Sequence, residues 1–237
     1  MTVHSKNMRN GGLLVALLAG SIVSAAEAQK TFGDRTYEVT IENLTSGQPL
    51  SPGLIVTHDR SASLFRVGHP ASYGIIKIAE DGDPAPALAA ANGAPGVFSV
   101  TPINAPIHRR GGPGPSSATF QVEAPAAATS LSIAVMLICT NDGSTGLESV
   151  PLPNATATSY GHAWDAGSET NDEQSESIVD PCGGIGPVAL PADGKNDAPA
   201  EDGGRITGHR GIAGGGDLTS AHRWRGPVVK ITIRLLN

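Results

Sequence analysis

Three features of this 237-residue chain predict an all-β fold, an antiparallel sandwich with long loops and one or two short helices. Its 30 glycines and 18 prolines make about a fifth of all residues, against a usual share of roughly 12%, so turns are frequent and long helices few. Six or more short β-rich runs recur between clusters of Gly, Pro, Asn and Asp, the spacing expected of a sandwich. One of them, Leu131 to Ile138, is almost continuously apolar, as a strand covered on both faces must be.

In chain order, Lys6 and Arg9 precede the uncharged run Leu13 to Ala25, and Ala26-Glu27-Ala28 closes it with small residues two apart. This pattern predicts a signal peptide over residues 1–28 and a secreted or periplasmic protein. The run is too short for a bilayer core, which needs about 20 apolar residues, and the mature chain holds no other candidate for a transmembrane segment. Residues 29–237 read as a single domain of net charge −7. Its first strand is Thr36 to Leu44, where Tyr37, Val39 and Ile41 alternate with Glu38, Thr40 and Glu42, leaving one face wet. Leu54 to Thr57, Val97 to Val100, Thr119 to Val122, Leu131 to Cys139 and Val228 to Leu235 follow as strands. Short helices fit Ser72 to Glu80 and Ala87 to Ala91, separated by the breaker Asp81-Gly82-Asp83-Pro84. Arg109 to Pro115 reads as one long loop. Asn43-Leu44-Thr45 and Asn154-Ala155-Thr156 fit the N-glycosylation pattern.

Export gives the two cysteines, Cys139 and Cys182, an oxidising compartment, where such a pair tends to close into a disulfide. That bond would contribute about 3 to 4 kcal/mol by restricting the unfolded chain. The alternative is two free thiols, one of them packed in a strand. Zinc is disfavoured, because no close Cys or His pair accompanies either cysteine.

Charge is unevenly placed. Between Arg110 and Lys195 lie 84 residues without Lys or Arg but with ten acids, which repel one another on folding. Five of them, Asp165, Glu169, Asp172, Glu173 and Glu176, fall within 12 residues that contain Gly167. Oxygen ligands crowded on such a loop suit calcium, which takes six to eight oxygens and tolerates irregular geometry. Asp142, on the turn that leaves the central strand, is positioned to join them. The same composition also suits a merely solvated acidic loop, and the order of residues is not that of an EF-hand.

At these residues the chain resembles the spondin domain, the module of F-spondin and mindin that also occurs in short secreted bacterial proteins. The resemblance rests on Trp164-Asp165-Ala166-Gly167-Ser168-Glu169, similar to the family's W-D-A-G-T-[DE], and on Thr140-Asn141-Asp142-Gly143-Ser144-Thr145-Gly146-Leu147 after the central strand. Gly74 to Glu80 and Pro227 to Ile233 are similar to further family segments, so the likeness spans about residues 36–235. It implies a C2-like sandwich with a calcium ion at one end, held by Asp142, Asp165 and Glu169, with Asp172 as an additional candidate. Glu169 departs from the aspartate of some relatives. The resemblance further implies binding, at the cell surface or in the matrix, to an unidentified protein or glycan, hence adhesion rather than catalysis.

Other functions find less support. A net negative charge repels the phosphates of nucleic acid. The sequence has no G-x-S-x-G elbow, H-E-x-x-H pair or Walker loop, so a metal-dependent hydrolase would have to rest on His58, His162 or His209, each of which reads as a surface or satisfied structural histidine. Gly211 to Gly216 resembles a phosphate cradle only in its glycines and reads as a flexible loop. Trp164 and Trp224 could offer a sugar-stacking platform for a glycan-binding module, although isolated tryptophans in a sandwich more often belong to the core.

Overall fold

The computed structural model describes residues 1–2, 33–201 and 203–237. The predicted signal peptide therefore lies outside the described residues, apart from Met1 and Thr2. Residues 33–237 belong to one compact unit.

The chain runs β1 (Arg35–Asn43), β2 (Leu50–His58), α1 (Tyr73–Asp81), α2 (Ala85–Ala91), β3 (Val97–Ile103), β4 (Ser117–Ala124), β5 (Ser130–Leu137), β6 (Gly143–Pro151), β7 (Thr156–Gly161), β8 (Ala163–Asp165), α3 (Pro181–Ile185), β9 (Thr207–Gly208) and β10 (Val229–Leu235). Two antiparallel sheets result, one ordered β4-β1-β10-β7 and the other β3-β2-β5-β6-β8-β9. The predicted all-β sandwich is thus the observed architecture.

Alternation decides which residues face inward. On β1, Tyr37, Val39 and Ile41 point into the sandwich and pair in register with Leu235, Ile233 and Ile231 of β10, while Glu38 and Glu42 face out. These residues meet Leu131, Ile133, Val135 and Leu137 of β5 in the main core. Every residue of β5 is buried, because its opposite face, Ala134 and Met136, is roofed by Ile75 and Ile78 of α1 and Ala87 of α2. The continuous apolar run has this cause. Helix α1 starts at an N-cap, Ser72, whose hydroxyl accepts the Ile75 N–H, and it stops at Gly82, whose φ of 64° is cheap only for glycine.

A third, smaller core lies where β5 ends. Cys139 and Cys182 are bonded there, with Ile138, Ile178, Ile212 and Leu218 around them. Gln48 clamps the same region: its amide group donates to the carbonyls of Cys139 (3.0 Å) and His222 (2.8 Å), and its side-chain oxygen accepts from the Cys139 N–H. The predicted disulfide thus joins the end of β5 to α3. Of the two glycosylation patterns, Asn43 is fully buried and donates to Gln48 O at 2.7 Å, whereas Asn154 is exposed.

Candidate metal centre

The site begins at the turn between β5 and β6. Thr140 shapes it, donating its hydroxyl to Leu137 O and accepting the Gly143 N–H at 3.0 Å, which fixes Asp142 as the last residue before β6. Strand β8 pairs with β6, placing Asp165 opposite Gly143. The chain then turns at Gly167, where φ is 69° and an added Cβ would lie 2.7 Å from the Arg205 nitrogen. That turn delivers the Ser168 and Glu169 amides to Asp142. Its Oδ2 accepts from Ser168 N (2.8 Å), Ser168 Oγ (3.3 Å) and Glu169 N (3.2 Å).

The second oxygen of Asp142 has no such support. Asp142 is completely buried, and among the described residues its Oδ1 has no hydrogen-bond partner. Glu169 is 7% exposed, and its Oε2 is likewise without a partner. Orphaned carboxylate oxygens in an interior are costly, because nothing replaces the water they leave behind. Burial, with the nearby Asp165 carboxylate, raises the Asp142 carboxyl to about 6, against the lowering effect of its three hydrogen bonds. Burial, followed by the carboxylates of Glu80 and Asp142, raises Glu169 to about 8.

Glu80 and Asp81 were not expected at this site. They stand at the end of α1, and both act on Glu169, as does Lys77, a basic group that counters them there. Lys77 is already engaged by Glu80 (3.3 Å) and Asp81 (2.8 Å). The only available signal was the pair of acids at the helix end, since nothing in the sequence says that α1 roofs β5.

The predicted residues separate by role. Asp142 neighbours both Asp165 and Glu169, yet no single oxygen from each falls within 4.8 Å of the other two; among the described residues that spacing is met only by Cys139, Cys182 and His222, whose sulfurs are already bonded to each other. Opposite ligands of a calcium ion with bonds of about 2.3 to 2.6 Å stand roughly 5 Å apart, so these three side chains would have to move inward to share one ion. Asp165 holds the loop, accepting from Gly167 N (2.9 Å) and Asn171 Nδ2 (2.7 Å). Asp172 is already satisfied by Asn141 Nδ2, Gln174 N and Ser177 Oγ, so it acts as a brace for the turn.

The chain matches no family model and no curated protein.

The glycine-rich segment has a role that the sequence concealed. Its backbone N–H groups at Ala213 (2.5 Å), Gly214 (2.6 Å) and Gly215 (3.0 Å) all donate to the Glu173 carboxylate, so the cradle holds an internal anion. Beside the centre, a polar cavity of about 530 Å³, lined among others by Asp165, Arg205, His209 and Arg210, connects Asp165 to solvent. His58 is fully buried, with both ring nitrogens hydrogen-bonded. Trp164 rests on the helix-covered core with its ring edge-on to His162, and Trp224 rests on the disulfide core edge-on to His209.

Proposed function

We propose that the mature chain is an exported calcium-binding module of the spondin type, acting in recognition or adhesion at the cell surface. One observation carries the metal reading. Among the described residues Asp142 Oδ1 and Glu169 Oε2 are buried oxygens without partners, on neighbouring acids. A divalent cation would supply what both lack, in the folded state only. Oxygen donors of this kind suit a hard ion, with backbone carbonyls and water to complete the shell. The resemblance of the Trp164 to Glu169 and Thr140 to Leu147 segments to the spondin domain supports the same choice of ion and the assignment to binding. The disulfide and the N-terminal pattern support export.

Metal analysis of protein purified without chelator tests the reading, together with melting against calcium. At 100 times its dissociation constant the ion should stabilise by about 2.7 kcal/mol. Glu169→Gln should remove most of the shift and the distant Glu38→Gln should not. Absence of both bound metal and a calcium-dependent shift in the wild type would leave the acidic loop as a solvated face.

A further inference from the structure

A second site lies away from the acidic end, between the helices and the six-stranded sheet. It is a cavity of about 420 Å³, within the range of small-molecule sites. Its apolar wall owes its space to alanines. Ala87, Ala90, Ala91 and Ala94 recur at helical spacing along α2 and the turn after it, and Ala62 faces them from the loop that follows β2. The helices cannot close the space by moving together, because they already touch: a Cβ on Gly74 would sit 2.7 Å from the Ala87 Cα. At the floor, both ring nitrogens of His58 are bound, to Asp59 O (2.7 Å) and Ser132 Oγ (2.8 Å), so this part of the cavity offers no free donor.

The opposite wall is positive. Arg66, exposed to solvent, lines the cavity; among the described residues its guanidinium makes one hydrogen bond, from Nε to Ser63 Oγ at 3.4 Å, and no ion pair. Helix α1 begins on the same side, since Ser72 and Gly74 also line the cavity. Its first turn contains no acid, and among the described residues the Tyr73 and Gly74 amides have no acceptor. A helix N-terminus carries partial positive charge, and a guanidinium binds carboxylate in a planar fork. An apolar chamber with a guanidinium free of ion pairs among the described residues and a helix start at its wall is complementary to a molecule with an aliphatic body and one anionic end.

We propose that this cavity binds a medium-chain alkyl carboxylate, with the carboxylate at Arg66 and the start of α1 and the chain along the alanine wall. The site shares no residue with the acidic centre, and its test runs in calcium-free buffer. Decanoate should displace anilinonaphthalene sulfonate from the full mature protein saturably, at one molecule per chain. Decanol, equal in length but uncharged, should bind about tenfold more weakly, the scale of one charge-assisted hydrogen bond. Arg66→Gln should weaken decanoate about tenfold and leave decanol unchanged. Ala90 is exposed on α2, so Ala90→Phe should fold normally while blocking the chamber and abolishing both ligands; Ala127→Phe, on an exposed loop elsewhere, should bind as wild type. The proposal is overturned if wild type shows no saturable decanoate binding, if decanol equals decanoate, or if Ala90→Phe binds like wild type.

Discussion

Calcium binding should displace protons, and the number follows from the two buried carboxyls. In the metal-free protein Glu169 titrates at about 8 and Asp142 at about 6. At pH 7 the first is about nine-tenths protonated and the second about one-tenth, so an ion that takes both as carboxylates expels roughly one proton. Both folded values lie above the ordinary 4.5 and 3.8, so at these two groups the metal-free fold binds more protons than the unfolded chain. Their contribution to stability is therefore fully present in acid and is lost as pH rises from about 4 towards 8. For Glu169 alone the loss by pH 7 is about 3 kcal/mol, at 1.36 kcal/mol per unit. Calcium should cancel that decline. Its affinity should fall about tenfold per pH unit between 8 and 6, and more steeply below 6 as Asp142 also protonates. Calorimetric titration at pH 7 in buffers of different ionisation heat measures the proton count, and Glu169→Gln should reduce it to nearly zero. Binding in wild type without proton release, or an equal release from Glu169→Gln, would refute the assignment of that proton.

Three other outcomes follow from the loops around the site. Replacing Cys139 and Cys182 with serine should cost about 4 kcal/mol in denaturant unfolding, because the bond closes a loop of 43 positions, and it should also weaken calcium binding by loosening the end of β5. Glu173→Gln removes the charge that three backbone amides converge on; it should cost about 2 kcal/mol and raise amide exchange across residues 211–216. Asp172→Asn should lower stability by about 1 kcal/mol yet keep the calcium-induced rise in melting, since its oxygens already serve Asn141, Gln174 and Ser177.

Much of the fold was legible in the sequence because its rules are local. The alternation of Tyr37, Val39 and Ile41 sets the wet and dry faces of β1, the unbroken run from Leu131 marks a strand with two covered faces, and Gly82 ends α1 in a left-handed cap. Strands β6, β7, β8 and β9 escaped notice. The first half of β6, Gly143 to Leu147, is buried yet rich in Gly, Ser and Thr, while β8 and β9 span only three and two residues; pairing with neighbours makes them strands, not their own pattern. The candidate site divides in the same way. Its acids and the lack of Lys or Arg between Arg110 and Lys195 could be read directly, as could the motif around Asp165, but not that Lys77, Arg205 and Arg210 come near those acids from elsewhere in the chain. Which oxygens are orphaned could not: Asp142 Oδ2 is answered by loop amides 26 and 27 residues away, and Oδ1 is left bare by how the turns pack. Nor could the sequence place Glu80 and Lys77 beside Glu169, or turn the Gly211 to Gly216 amides onto Glu173. Backbone preference depends on a few adjacent residues, whereas burial and electric field sum over every segment that folding brings near, so only the tertiary structure decides them.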